Sequence, residues 1–383
     1  MKRRICFLVI CAVLTGLLAL PAAAATTLEV PAKSALLMDV TTGTVLYESN
    51  ADTPLPPASV TKVMTMLLIM EAIDSGRIQW QDMVTASEAA AAKGGSQIYL
   101  KVGETMTVED MVKSIAVSSA NDCACAMAEH IAGSEAAFVD LMNSRAKELG
   151  MENTRFVNCT GLDDDDGAKD HKTSARDIAI MSRQLLKEHP DIKRFTTIWM
   201  DTVRGGTFGL SNTNKMVRFY PGATGLKTGF TSSAMYCLSA SAQREGMELV
   251  AVVMGCETSQ KRFSACKTLL DYGFANYALV HPELPTETGV PVKLGTQPTV
   301  QAVPSAMDAI LVEKGQKASV STELVLEEQV QAPVSKGQRL GTLTVKAGQQ
   351  VLMQIPMVAE QTVPRLSWWA VFWRVLRGFA MAK

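Results

Sequence analysis

At 383 residues the chain exceeds one ordinary domain and is long enough for two separate cores. Hydrophobic residues make up 47%, which excludes a disordered chain. A formal net charge of −1 leaves no surplus of Lys and Arg for a basic face, so nucleic acid is not an expected partner.

The N-terminus reads as a secretory signal peptide over residues 1–25. Lys2, Arg3 and Arg4 form a positive start, residues 5–20 are an apolar run, and Pro21 with the following alanines offers a small-residue cleavage site after Ala24 or Ala25. Cys6 and Cys11 leave with it. Cys123, Cys125, Cys159, Cys237, Cys256 and Cys266 remain, at spacings that form no dense disulfide framework and lie in apolar patterns, as buried free thiols do. None of the four His sits beside a Cys pair in a ligand pattern, so neither a metal nor a cofactor is expected.

Residues 26–280 mix strand and helix patterns. "SALLMDVTTGTVLYESN" is strand, turn at Thr42-Gly43, strand. "SVTKVMTMLLIMEAIDSG" is a helix apolar on nearly every side, hence buried, and stops at Gly76. Residues 108–132 form two helices around a polar break at 118–121, and "AMYCLSASAQREGMELVAVVMG" is a hairpin of two apolar strands. Strands at both ends of a helix-rich middle predict an α+β domain with an antiparallel sheet. Short alternating runs over residues 290–362 predict a small all-β domain. In residues 364–383, Trp368, Trp369, Val371, Phe372, Trp373, Val375, Leu376 and Phe379 share one helical face, opposite Ser367, Arg374 and Arg377. That pattern suits an amphipathic helix lying in a membrane surface, and the alternative is a helix packed on its own domain.

Three short motifs carry chemistry as a set. In Ser59-Val60-Thr61-Lys62 a hydroxyl and an amine three residues apart share a helical face, and the apolar run after Lys62 favours the neutral amine that can act as base. In Ser119-Ala120-Asn121 the hydroxyl can relay a proton and the amide can hold a substrate carbonyl; the competing reading is a helix cap by Asn121 and Asp122. In Lys227-Thr228-Gly229, Lys227 offers a second cation to hold a carboxylate and depress the Lys62 pKa, while Gly229 lets a backbone approach. Each motif alone is weak. Their order, separated by 60 and 108 residues, is not a coincidence of composition.

The triple is the signature of class A β-lactamases and penicillin-binding proteins. With "PPASVTKVMT", "VSSANDCACAMAEHIAG", "CTGLD", "HKTSARDIA" and "GLKTGFTSSAMYCLSASA", the sequence resembles the low-molecular-mass penicillin-binding proteins that are D-alanyl-D-alanine carboxypeptidases. The resemblance implies a penicillin-binding/β-lactamase-like catalytic domain, a small β domain and an anchoring helix on the outer face of the cytoplasmic membrane. It assigns Ser59 as acylated nucleophile, Lys62 as base, Ser119 as proton relay, and Asn121, Lys227 and Thr228 as substrate-binding residues. The amides of Ser59 and Phe230 would form the oxyanion hole. Arg262 is a further candidate for the substrate carboxylate, against a surface arginine at a helix start. The implied partners are peptidoglycan stem peptides ending in D-Ala-D-Ala and β-lactam antibiotics. Asp163, Asp164, Asp165 and Asp166 depart from the family pattern, and such a run reads as solvated. The rival readings are a β-lactamase, for which no Glu-x-x-Leu-Asn stretch is present, and a non-catalytic sensor, which would have lost a motif residue.

Overall fold

The computed structural model describes residues 28–163, 166–306 and 309–381, so the expected signal peptide, Asp164 and Asp165 lie outside it. Near the start of the described chain, strands β1 (Ser34–Asp39) and β2 (Val45–Ser49) form the expected hairpin. The helices that follow are α1 (Lys62–Asp74), α2 (Val108–Ser118), α3 (Asn121–Ala132), α4 (Glu135–Glu148) and α5 (Ala175–Glu188). Then come β3 (Ala223–Thr231), β4 (Met235–Arg244), β5 (Met247–Cys256) and α6 (Ser259–Asn276).

The five strands form one antiparallel sheet in the order β2-β1-β5-β4-β3. Every residue of β5 is buried, because both faces of this central strand are covered. Side chains alternate between the faces. Leu36, Met38, Val250 and Val252 join the core built with α1, α2, α3 and α5. On the other face Gly273 of α6 sits so close to Leu37 and Leu249 that a Cβ there would stand 2.5 Å from Leu249 Cδ1. α1 is buried from Lys62 to Met70, as its all-round apolar pattern requires. Gly76 follows its end with a positive φ of 73°.

Among the described residues of 277–363 the regular structure is strand, apart from one 3₁₀ segment at Lys314–Ser319. After β6 (Tyr277–Val280) come β7 (Gly289–Lys293), β8 (Thr299–Pro304), β9 (Ile310–Glu313), β10 (Val320–Leu326), β11 (Val330–Gln331), β12 (Arg339–Ala347) and β13 (Gln350–Ala359). Six of them make a sheet in the order β10-β12-β13-β8-β7-β11, antiparallel except for the β7–β11 pair. Its core is small and aliphatic, with Val290, Val300, Leu343, Val345 and Met357 at its centre. The chain ends in α7 (Trp368–Met381). Among the described residues no helix is long and apolar enough to cross a membrane.

Candidate active site

The turn that carries Ser59 is built on an unusual backbone. Ala58 has φ of 49°, a left-handed backbone that costs a non-glycine residue energy and persists only where neighbours enforce it. A single 3₁₀ turn over Ala58–Thr61 then leads into α1. Ser59 therefore lies in the 3₁₀ turn and not in the α-helix itself. That turn eclipses residues three apart and brings Lys62 Nζ to 2.9 Å from Ser59 Oγ.

Ala58 is held by a relay that the sequence did not announce. Val157 N–H donates to His171 Nδ1 (3.1 Å), which assigns the proton to Nε2. Nε2 then donates to Thr61 Oγ1 (2.8 Å), whose own hydrogen goes to the Ala58 carbonyl (2.8 Å). Burial, and then the nearby Lys62 charge, push the His171 pKa down to about 4, so the ring is neutral near pH 7. Two glycines close on the same turn. A Cβ on Gly161 would fall 1.9 Å from the Ala58 carbonyl oxygen, and one on Gly229 would fall 2.6 Å from that of Pro57. Gly161 also has φ of 81°, so both space and backbone demand glycine there.

Lys62 is fully buried, and its amine donates to the Thr160 carbonyl at 2.7 Å as well as meeting Ser59. Burial brings its pKa down to about 7, against the pull of Cys159 and Asp122. The sequence reading gave Lys227 a share in this. The structure corrects that emphasis: burial is what lowers Lys62, and the repulsion is felt at Lys227. The Lys227 value is held well below the lysine range by burial, then by Lys62, then by Arg262. Two buried ammonium groups so placed hold a second proton poorly.

Ser119 closes α2 in a left-handed conformation (φ 64°) and is 3% exposed. The partners of Lys62 Nζ are Ser59 and Thr160, and Ser119 is not one of them. The competing reading, a cap by Asn121 and Asp122, is not met at the cap position, which is Ala120 and has no side-chain bond. Asp122 Oδ1 accepts the neighbouring Cys123 amide at 2.9 Å, and both side chains also act at longer range. Asp122 accepts the amides of Ile98 (3.1 Å) and Leu100 (3.0 Å). Asn121 Nδ2 donates to the Gly94 carbonyl at 2.7 Å, while its Oδ1 is buried with no partner among the described residues. A buried acceptor left open is what a substrate N–H would fill. A Cβ on Gly95 would stand 2.8 Å from Asn121 Nδ2 and 3.2 Å from Leu162, so this loop and the one after Thr160 converge on Asn121.

The third motif lies on β3, the outer strand of its sheet. Lys227 is 1% exposed, with Nζ on the Thr228 carbonyl at 2.8 Å. Thr228 Oγ1 pairs with Thr213 Oγ1 at 2.7 Å, and the Thr213 amide donates to the Val117 carbonyl near the end of α2. Arg262 is not a surface residue. Its guanidinium donates to the carbonyls of Gly229 (3.0 Å) and Cys237 (3.3 Å), lies over Tyr236 and Phe263, and leaves Nε buried without a partner among the described residues. It is tied to the backbone of the third motif. Phe230 is exposed and stacks on Tyr236 with centroids 4.4 Å apart.

Asp163 is exposed, in keeping with the solvated reading of the acidic run, and accepts the Ser233 hydroxyl at 2.5 Å in the β3–β4 turn. The six remaining cysteines are free and buried, as their apolar settings imply. Thr160, Gly161, His171 and Thr213 were missed. "HKTSARDIA" stood out in the sequence, but nothing in it signals what His171 touches.

A family profile described as D-alanyl-D-alanine carboxypeptidase matches residues 21–258, and one described as the C-terminal domain of penicillin-binding protein 5 matches residues 285–365. The chain is 45% identical over 341 residues to D-alanyl-D-alanine carboxypeptidase DacF of Bacillus subtilis, covering 87% of this chain and 86% of that protein. Among solved structures it is similar to penicillin-binding protein 5 from Haemophilus influenzae (TM-score 0.76, 30% identity, 88% of this chain and 98% of that one). It is also similar to penicillin-binding protein D2 from Listeria monocytogenes in its ampicillin-bound form (TM-score 0.56, 33% identity, 64% and 98%).

Proposed function

The chain belongs to the D-alanyl-D-alanine carboxypeptidase family of serine peptidases, and from that premise we propose how this molecule performs the reaction. Ser59 attacks the carbonyl of the penultimate D-alanine of a stem peptide while neutral Lys62 takes its proton. The oxyanion lies between the amides of Ser59 and Phe230. Asn121 Oδ1 receives a substrate N–H, and Lys227 with Thr228 holds the terminal carboxylate beside Arg262. The C–N bond breaks, and the leaving nitrogen takes the proton by way of Ser119. Water then cleaves the ester, giving the shortened acid and free Ser59. A β-lactam, whose strained amide takes the place of the scissile bond, acylates the same oxygen.

The observation that carries this reading is Lys62: fully buried, 2.9 Å from Ser59 Oγ, with a pKa of about 7. A synthetic pentapeptide ending in D-Ala-D-Ala tests it. Mass spectrometry should show loss of one D-alanine, and a fluorescent penicillin should leave a long-lived adduct on the tryptic peptide containing Ser59. Rapid release of hydrolysed penicillin would mark a β-lactamase instead, and no product from the peptide would mark a sensor.

We place the enzyme outside the cytoplasmic membrane, exported by residues 1–25 and held at the surface by α7. The helix has 14 residues, about 21 Å, well short of a hydrocarbon core of about 30 Å. Trp368, Trp369, Phe372 and Trp373 are all exposed, an arrangement suited to headgroup depth. The full chain should sediment with anionic phospholipid vesicles, whereas a chain ended at residue 366 should stay in solution with unchanged turnover of a soluble peptide. Equal sedimentation of both would remove α7 from the role.

A further inference from the structure

Glu135 has no part in the mechanism above, yet its carboxylate joins two loops that do. It is the first residue of α4, behind Ser134, whose hydroxyl caps the helix by accepting the Ala137 amide. Oε1 accepts both the amide and the thiol of Cys159 at 3.2 Å, and Oε2 accepts Lys93 Nζ at 2.6 Å. Burial opposes the charge, but the Lys93 ammonium and the Cys159 donors outweigh it and hold the carboxyl below its ordinary range. Cys125 Sγ lies 3.8 Å from Oε2.

Each partner stands one residue before a group that orients the reacting centre. Cys159 precedes Thr160, whose carbonyl takes Lys62 Nζ at 2.7 Å. Lys93 precedes Gly94, whose carbonyl takes Asn121 Nδ2 at 2.7 Å and so turns Oδ1 free for a substrate. Chain connectivity carries a displacement at either anchor to the carbonyl of the following residue, damped by the soft φ and ψ of the residues between the two groups.

We propose that Glu135 is a positioning residue for the peptidase reaction, its one carboxylate setting the two carbonyls that orient Lys62 and Asn121. The inference rests on the roles given above to those two residues. Both loops have other ties, since Thr65 Oγ1 donates to the Cys159 carbonyl at 2.6 Å and the Asn121 amide donates to Ser96 at 2.7 Å. The effect of losing Glu135 is therefore graded.

The test compares Glu135→Ala, Glu135→Gln and Lys93→Met in the full chain. Pentapeptide kinetics and the pH profile of penicillin acylation are read per titratable active site, so that misfolded protein does not count. Glu135→Ala should lower kcat/KM by about 10- to 100-fold, through both kcat and KM, and displace the pH limb near 7. Lys93→Met should raise KM alone. Glu135→Gln keeps an acceptor for the Cys159 amide and loses the ion pair, so it should restore kcat and retain the raised KM. Wild-type turnover of the peptide decides the functional reading separately. With that turnover in hand, a Glu135→Ala enzyme with wild-type kcat, KM and pH limb overturns the inference. So does one that has merely fewer titratable sites with unchanged constants.

Discussion

A Ser59→Ala enzyme is expected to lose peptide cleavage and penicillin labelling together, by roughly 10⁶-fold in rate, and to keep its fold. The oxygen removed is what bonds Lys62, and the turn around it is held by the Thr61 bond to the Ala58 carbonyl and by the close approach of Gly161 and Gly229, none of which involves the Ser59 hydroxyl. The structural loss is one hydrogen bond, about 1 kcal/mol, so the melting temperature should move by only a few degrees. Lys62 keeps its bond to the Thr160 carbonyl. The two activities are measured side by side, by mass spectrometry of peptide products and by fluorescence of the labelled protein. Persistence of a covalent penicillin adduct would move the nucleophile elsewhere and sink the assignment.

Lys62→Met should lower acylation by about 10⁴-fold, the upper range for loss of a general base, while Ser59 remains in place. Wild-type acylation should rise with pH through about 7, as the ammonium gives up its proton, and the residual activity of the variant should lack that limb. Stability responds in a related way. The Lys62 pKa is lowered on folding from 10.5 to about 7, so between those values the unfolded chain binds a proton that the folded amine does not. Wild-type stability therefore climbs with pH across that window, and below pH 7 the cost of the buried charge is carried in full, on the order of 5 kcal/mol. Methionine removes that cost and leaves the Thr160 carbonyl without its donor, a loss of about 1–3 kcal/mol. At pH 6 the variant should melt no lower than wild type. A variant that melts far lower would show that burial of a charged Lys62 is not costly, and one that keeps the pH limb would show that another group titrates there.

Much of this site was legible because its chemistry is local. Ser59 and Lys62 are three residues apart, Ser119 and Asn121 share one helix break, and Lys227 to Gly229 is a tripeptide. The hairpins of β1–β2 and β4–β5 were readable for the same reason, with turns at Thr42-Gly43 and Gly246. What failed to show is whatever arrives from far along the chain. The pairing of Ala35 with Val253 puts β1 beside β5, and no periodicity in either segment announces it. The Thr160 carbonyl reaches Lys62 from 98 residues away as a backbone group, which leaves no mark in the side-chain pattern. His171 meets Thr61 across 110 residues, and its neutral buried state depends on neighbours supplied only by the fold. Arg262 reads from the sequence as either surface or site because helix phase alone does not say which turn of α6 lies under β3 and β4.

Gly161 carries a consequence for how this enzyme can change in sequence. Every other amino acid places a carbon where the Ala58 carbonyl already is, on a backbone that side chains disfavour. Any substitution at that position must therefore displace the turn around Ala58. Gly229, whose missing side chain lets β3 lie against Pro57, is likewise closed to a bulkier residue. Phe230, one residue beyond Gly229, is exposed, so a change of its side chain meets solvent before it meets that turn.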